Sequence, residues 1–154
     1  MSESPQPDSP KKNTWISWGG FLLLLALIYF GNVELQSWLG RKALENTGLN
    51  PLPLQQALIE ANKQGKQVLA DMSAIWCPTC RKLDNNIFSK SEVQAAMHEK
   101  YIFSRVEYES AEGEAFMKKY NVKGFPTLLI LDENGNNLRQ LNLPFIPQEF
   151  INQL

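Results

Sequence analysis

Cysteine, histidine and net charge are all scarce in this sequence, and each scarcity removes a class of function. Two cysteines, Cys77 and Cys80, and one histidine, His98, occur in 154 residues. Small secreted domains held together by disulfides usually carry several bridges, so two cysteines exclude a disulfide scaffold. Lys plus Arg total 15 against 16 Asp plus Glu, and from Asn50 onward the counts are 11 and 12. No basic surplus exists to neutralise phosphates, so nucleic acid is not an expected partner. Beyond residue 12 the chain has no internal repeat and no low-complexity stretch. About 105 residues follow the single long apolar run, enough for one compact domain.

Residues 1–12, "MSESPQPDSPKK", hold no large apolar side chain after Met1 and are expected to form a disordered tail. Residues 13–33 contain no charge. A helix of that length, rising about 1.5 Å per residue, matches a hydrocarbon core of about 30 Å, so a single transmembrane helix acting as a signal anchor is predicted there. Trp15 and Trp18 near one end, with Tyr29 and Trp38 near the other, fit aromatic belts at the two membrane interfaces. A cleaved signal peptide competes with this reading, but no small-x-small cleavage site follows the apolar run. Lys11 and Lys12 before the span are matched by Arg41 and Lys42 after it. The lysines lie closer to it, and the domain is therefore placed outside the cytoplasm. Residues 34–50 carry Leu35, Trp38, Leu39 and Leu44 at near-helical spacing and stop at Asn46-Thr47-Gly48. They read as a juxtamembrane linker, a prolongation of the membrane helix serving as a spacer.

From residue 51 the pattern alternates. Helices are predicted over Leu52–Gln64, Cys77–Leu83, Glu92–Lys100, Glu112–Tyr120 and from Pro147, with strands at Val68–Ser73, Ile102–Glu107, Thr127–Leu131 and Asn137–Leu143. Such interleaving implies an α/β sandwich over residues 51–154.

The cysteine pair lies in "AIWCPTCRK", where a strand gives way to a helix. Pro78 suits the first helical position, because its missing N–H is not needed there. Free amides at that helix start face the sulfur of Cys77 and favour its thiolate. Cys80 lies one turn further in, close enough to close a disulfide, so Cys77 attacks and Cys80 resolves. A permanent staple closing so short a loop would remove little denatured-state entropy. A zinc site needs two further ligands, and His98 alone, on a predicted helix, cannot supply them. Cu(I) carriage by the two thiolates alone is the competing non-enzymatic reading, and a disulfide-bearing interaction domain without turnover is a third. No cofactor and no resident metal are expected beyond the two thiols.

Two segments resemble the thioredoxin superfamily. "VLADMSAIWCPTCRKL" is similar to its strand, active-site loop and helix, and "VKGFPTLLILDENG" is similar to its later cis-proline loop, strand and turn. Within the superfamily the leading helix "LQQALIEANKQGK" and the "NNIFSKSEVQAAM" segment resemble the C-terminal domain of the bacterial thiol:disulfide interchange reductase DsbD. The Cys-Pro-Thr-Cys loop is also similar to the tethered thioredoxins of cytochrome c maturation. The resemblance implies a thioredoxin-like three-layer sandwich, a central mixed sheet flanked by helices, behind the single transmembrane helix. It also implies a membrane-tethered protein-disulfide reductase of the bacterial periplasm, working through a Cys77–Cys80 disulfide on protein thiols and disulfides; an oxidase or isomerase is the alternative direction.

The resemblance gives individual positions their roles. Asp71, six residues before Cys77, becomes the proton acceptor for the second cysteine, and burial would raise its pKa into a useful range. Asp84 shares the cysteine face if the helix continues, where its charge opposes ionisation of a thiol, and is an exposed helix end if it does not. Pro126 is implied to follow a cis bond from Phe125. That loop and Thr127 would offer backbone to an extended substrate. Trp76 shields the pair, and Pro78 and Thr79 between the cysteines tune it. Arg81 and Lys82 read as solvated helix charges.

Overall fold

The computed structural model describes residues 14–143 and 145–154, with side chains from Trp18 onward. The tail at residues 1–12, Asn13 and the side chain of Trp15 therefore lie outside the described residues. Helix α1 runs Thr14–Thr47. Among the described residues it is the one helix long and apolar enough to cross a membrane, over Trp18–Thr47. Phe21, Leu23, Leu27 and Phe30 all stand exposed along it. The chain divides into two compact units, the first ending at Val33 and the second covering Glu34–Leu154.

Within the second unit follow α2 (Leu54–Gln64), β1 (Gln67–Ser73), α3 (Pro78–Leu83), α4 (Ser91–Lys100), β2 (Tyr101–Glu107), α5 (Ala111–Tyr120), β3 (Thr127–Leu131), β4 (Asn137–Leu141) and α6 (Pro147–Ile151). The sheet order is β2-β1-β3-β4, with β1 and β2 parallel and the other pairs antiparallel. Successive strand residues point to opposite faces, and the core divides accordingly. Val68, Ala70 and Met72 of β1 pack with Ala57 and Ala61 of α2 and Phe116 of α5. Leu69 packs on the other face with Leu83, Phe88, Val93, Met97 and Phe150. Both faces of β1 are covered, which is why six of its seven residues are buried and Val68, Leu69 and Ala70 follow one another without polar alternation. This is the three-layer α/β sandwich expected.

Element ends differ from the sequence reading for local reasons. Helix α2 starts at Leu54 because Leu52 is spent on a bridge to Ser104, its N–H donating to the Phe103 carbonyl at 3.1 Å. It ends at Gly65, whose φ of 63° places it in the left-handed region. Strand β4 stops at Leu141 because the next amide, Asn142, donates to the Gln153 side chain at 2.8 Å. The helix carrying the cysteines does not stop at Leu83. It continues as a π turn over Asp84–Phe88, in which the Ser89 amide reaches back five residues to the Asp84 carbonyl at 2.9 Å. Single π turns of this kind recur at functional sites.

Residues 34–47, read from sequence as a spacer, belong to the same compact unit as the sandwich. The sequence pattern pointed to Leu35 and Trp38, yet both are exposed, and the packed residues are small: Ser37, Gly40, Ala43 and Thr47. Small side chains let the helix axis come close, a contact that a search for large apolar residues overlooks.

Candidate active site

Strand β1 delivers the chain to the site. After Ser73 it turns, the Cys77 amide donating to the Ala74 carbonyl at 2.9 Å, and enters α3. Cys77 is the N-cap of α3 and Pro78 its first residue. The sulfur of Cys77 accepts the Cys80 amide at 3.1 Å, one of the free donors at the helix start. Both cysteines are free thiols; Cys77 retains 6% of its surface and Cys80 2%. Thr79 is exposed between them. The pair is therefore asymmetric: one sulfur at the helix mouth with a donor on it, the other behind.

Burial pushes the Cys80 thiol up to about 12, the Cys77 sulfur adds to the rise, and the nearby Ser73 hydroxyl and Ala74 backbone act against it. Cys80 stays protonated at neutral pH unless a base takes its proton.

The Phe125–Pro126 peptide is cis, as the sequence reading expected, and Phe125 packs against the cysteines together with Trp76. The two rings meet edge to face with centroids 5.4 Å apart, and the indole N–H of Trp76 donates to Glu109 at 3.2 Å. Tyr108 covers the far side of Phe125 at 5.0 Å. Thr127 opens β3, its hydroxyl donating to the Gly124 carbonyl at 2.8 Å.

Between β1, β2 and the π turn lies a charged cluster that sequence reasoning found only in part. Asp71 and Asp84 are each 1% exposed, and between them stands Arg105 of β2. Its Nη1 donates to Asp84 at 2.8 Å and lies 3.6 Å from Asp71, while its Nε donates to Glu107 at 3.0 Å. Asp71 and Arg105 are register partners on the parallel β1 and β2. Asp84 is thus a buried ion-pair partner and not an exposed helix end; the π turn carries it inward. One guanidinium cannot neutralise three carboxylates, and Asp71 Oδ1 and Asp84 Oδ2 have no hydrogen-bond partner. Burial raises Asp71 to about 7, Arg105 pulls it down, and the charges of Asp84 and Glu107 raise it further. Burial also raises Asp84, against the pull of Arg105.

These shifts fix a pH dependence. A carboxyl whose folded pKa lies above its unfolded value of about 3.9 holds its proton more tightly in the folded chain, so its contribution to stability is complete below pH 4 and is lost as pH rises through 7. The thermal midpoint of the detergent-solubilised chain should therefore fall between pH 4.5 and 7.5, and the fall should be shallower in Asp71→Asn. Parallel profiles for the two proteins would contradict the buried placement of Asp71 beside Arg105.

Arg105 could have been found from parity: Tyr101 and Phe103 lie on the same face of β2, and that face is covered. Arg81 is half-buried and donates to Gln36 at 2.7 Å, and Lys82, exposed, sits 4.3 Å from the Phe145 ring centre. No group of three or more His, Cys, Asp or Glu able to hold a metal forms among the described residues, so His98, exposed on α4, does not join the cysteines.

Residues 54–151 match the family model of the thioredoxin-like domain. The thiol:disulfide interchange protein DsbD of Yersinia pestis (strain Pestoides F) is 33% identical over 126 residues, covering 76% of this chain and 21% of that protein. This chain thus spans about a fifth of the length of the curated relatives it matches. The reduced C-terminal domain of Neisseria meningitidis DsbD superposes with a TM-score of 0.54 at 25% identity, over 65% of this chain and 90% of that one. A thioredoxin from Thermus thermophilus shares the fold, with a TM-score of 0.60 at 23% identity over 68% and 83% of the two chains.

Proposed function

The chain belongs to the thioredoxin-like domain family, and from that membership and the asymmetry of its cysteine pair we propose a membrane-tethered thiol:disulfide oxidoreductase that reduces disulfides of other proteins in the bacterial periplasm. The observation that carries this reading is Cys77 at the mouth of α3 with the Cys80 amide on its sulfur. The Cys77 thiolate attacks one sulfur of a protein disulfide, forming a mixed disulfide and releasing the other sulfur as a thiolate. Asp71 takes the proton of Cys80, whose thiolate then attacks Cys77. The second substrate sulfur leaves and is protonated, and the Cys77–Cys80 disulfide remains. A dithiol protein must then return two electrons to it. The loop at Phe125, Pro126 and Thr127 receives the extended substrate, shielded by Trp76.

The reducing direction is supported by the buried carboxylates. Strong oxidants of this chemistry stabilise a thiolate in their reduced form, and the buried negative charge of Asp71 and Asp84 works against that. The membrane tether is supported by the exposed apolar surface of α1 and its charge-free residues 13–33. Equilibration of the full chain with glutathione buffers tests the direction. The pair should stay disulfide-bonded there and yield to dithiothreitol; a potential near that of the strong oxidant DsbA, about −120 mV, would reject the reductase.

A further inference from the structure

A glycine inside a helix is disfavoured by about 1 kcal/mol relative to alanine, so its presence there calls for a local reason. Gly40 has one. A side-chain carbon at position 40 would collide with the backbone carbonyl of Ile75, in the turn that leads into Cys77. Four residues earlier on the same helix, Gln36 accepts from Arg81 at 2.7 Å, one residue past Cys80. The same segment is secured at its far end, where the Gln94 side chain donates to the Thr47 carbonyl at 2.7 Å. Residues 34–47 thus touch the cysteine loop on both sides of Cys77-Pro78-Thr79-Cys80.

We propose that this part of α1 is a working part of the redox site, in which Gly40 and Gln36 are positioning residues that set the reactivity of Cys77 and the dithiol–disulfide equilibrium of the pair. The Ile75 carbonyl belongs to the turn closed by the bond from the Cys77 amide to Ala74. Pressing on that carbonyl tilts the turn, and with it the Cys77 sulfur, away from the Cys80 amide that it accepts at 3.1 Å. Loss of that donor weakens the dithiol form and shifts the pair toward the disulfide, while slowing attack by the Cys77 sulfur. The inference rests on the thiol-exchange reading above and extends its machinery beyond the family domain, which begins at residue 54.

The test uses the full chain in detergent, with two measurements: the rate of Cys77 alkylation by iodoacetamide across a pH series, and the equilibrium with dithiothreitol. Gly40→Ala should slow alkylation at pH 7 by about threefold and move the equilibrium toward the disulfide by a similar factor, the range expected for contacting residues. Gly31→Ala makes the same change of helix propensity where an added side chain would meet nothing, and should match the parent. Gln36→Ala should act in the same direction as Gly40→Ala and carries the test if that variant does not fold. Gln36→Glu keeps an acceptor for Arg81 and should restore the rate lost in Gln36→Ala. Parental alkylation profiles and equilibria in both Gly40→Ala and Gln36→Ala would overturn the proposal. A parent chain that never exchanges with dithiothreitol would instead overturn the oxidoreductase reading, and the alkylation series would still report on positioning.

Discussion

Cys77→Ser should abolish disulfide exchange, by about 10⁴-fold or more, whereas Cys80→Ser should keep the first step and hold its partner as a mixed disulfide that survives a non-reducing gel. The asymmetry follows from where the sulfurs sit. Cys77 caps α3, accepts an amide hydrogen and, though buried, keeps more of its surface than Cys80. Cys80 is buried with its thiol pushed up to about 12, so it stays a thiol at pH 7 without help. It cannot open the reaction, but it can finish it once a neighbouring base removes the proton and the mixed disulfide stands beside it. Partners captured in cells by Cys80→Ser would also identify the substrate and the electron donor. Trapping by Cys77→Ser and inactivity of Cys80→Ser would reverse the assigned roles. Equal residual activity in both would remove the mechanism.

Arg105→Met should be the most destabilising single change outside the apolar core, by about 3–5 kcal/mol near neutral pH. Its guanidinium stands between Asp71 and Asp84, all three side chains being almost wholly out of water. Removing it leaves two buried carboxyls that must either ionise without a partner or hold their protons. Because folded stabilities are commonly 5–15 kcal/mol, a loss of this size leaves a chain close to unfolding. The deficit should shrink as pH falls toward 4.5, where Asp71 is neutral in either protein. Adding Asp71→Asn and Asp84→Asn to the variant should recover a large part of the loss. Thermal midpoints at pH 4.5 and 7.5 measure both effects, and a change under 1 kcal/mol at pH 7.5 would show that the cluster is not a mutual dependency.

Much of this arrangement was legible in the sequence, where local chemistry dictates local form. The alternating pattern, the proline after Cys77, the glycine at position 65 and the Gly-Phe-Pro-Thr loop each lead to an element that the structure contains. What escaped depends on distant pairing. Strand parity places Arg105 on a covered face, but only the parallel register sets it beside Asp71. Asp84 was balanced between buried and exposed, because nothing in a run of helix-forming residues announces a π turn. Gly40 and Gln36 were hidden for a different reason: the eye follows Leu35 and Trp38, whereas a close helix contact is made by residues with little to show.

The π turn also limits how this part of the chain could change its length. Each residue in a regular helix advances the winding by about 100°. Deleting a single residue between Leu83 and Ser89 would let the helix wind regularly, yet it would swing everything beyond by that angle. Either Asp84 would be carried off its cation or Phe88 would be lifted from the rings of Phe103 and Phe150 that it touches. The surplus residue is what lets one stretch of helix face two directions at once, so an indel here is far harder to absorb than a substitution.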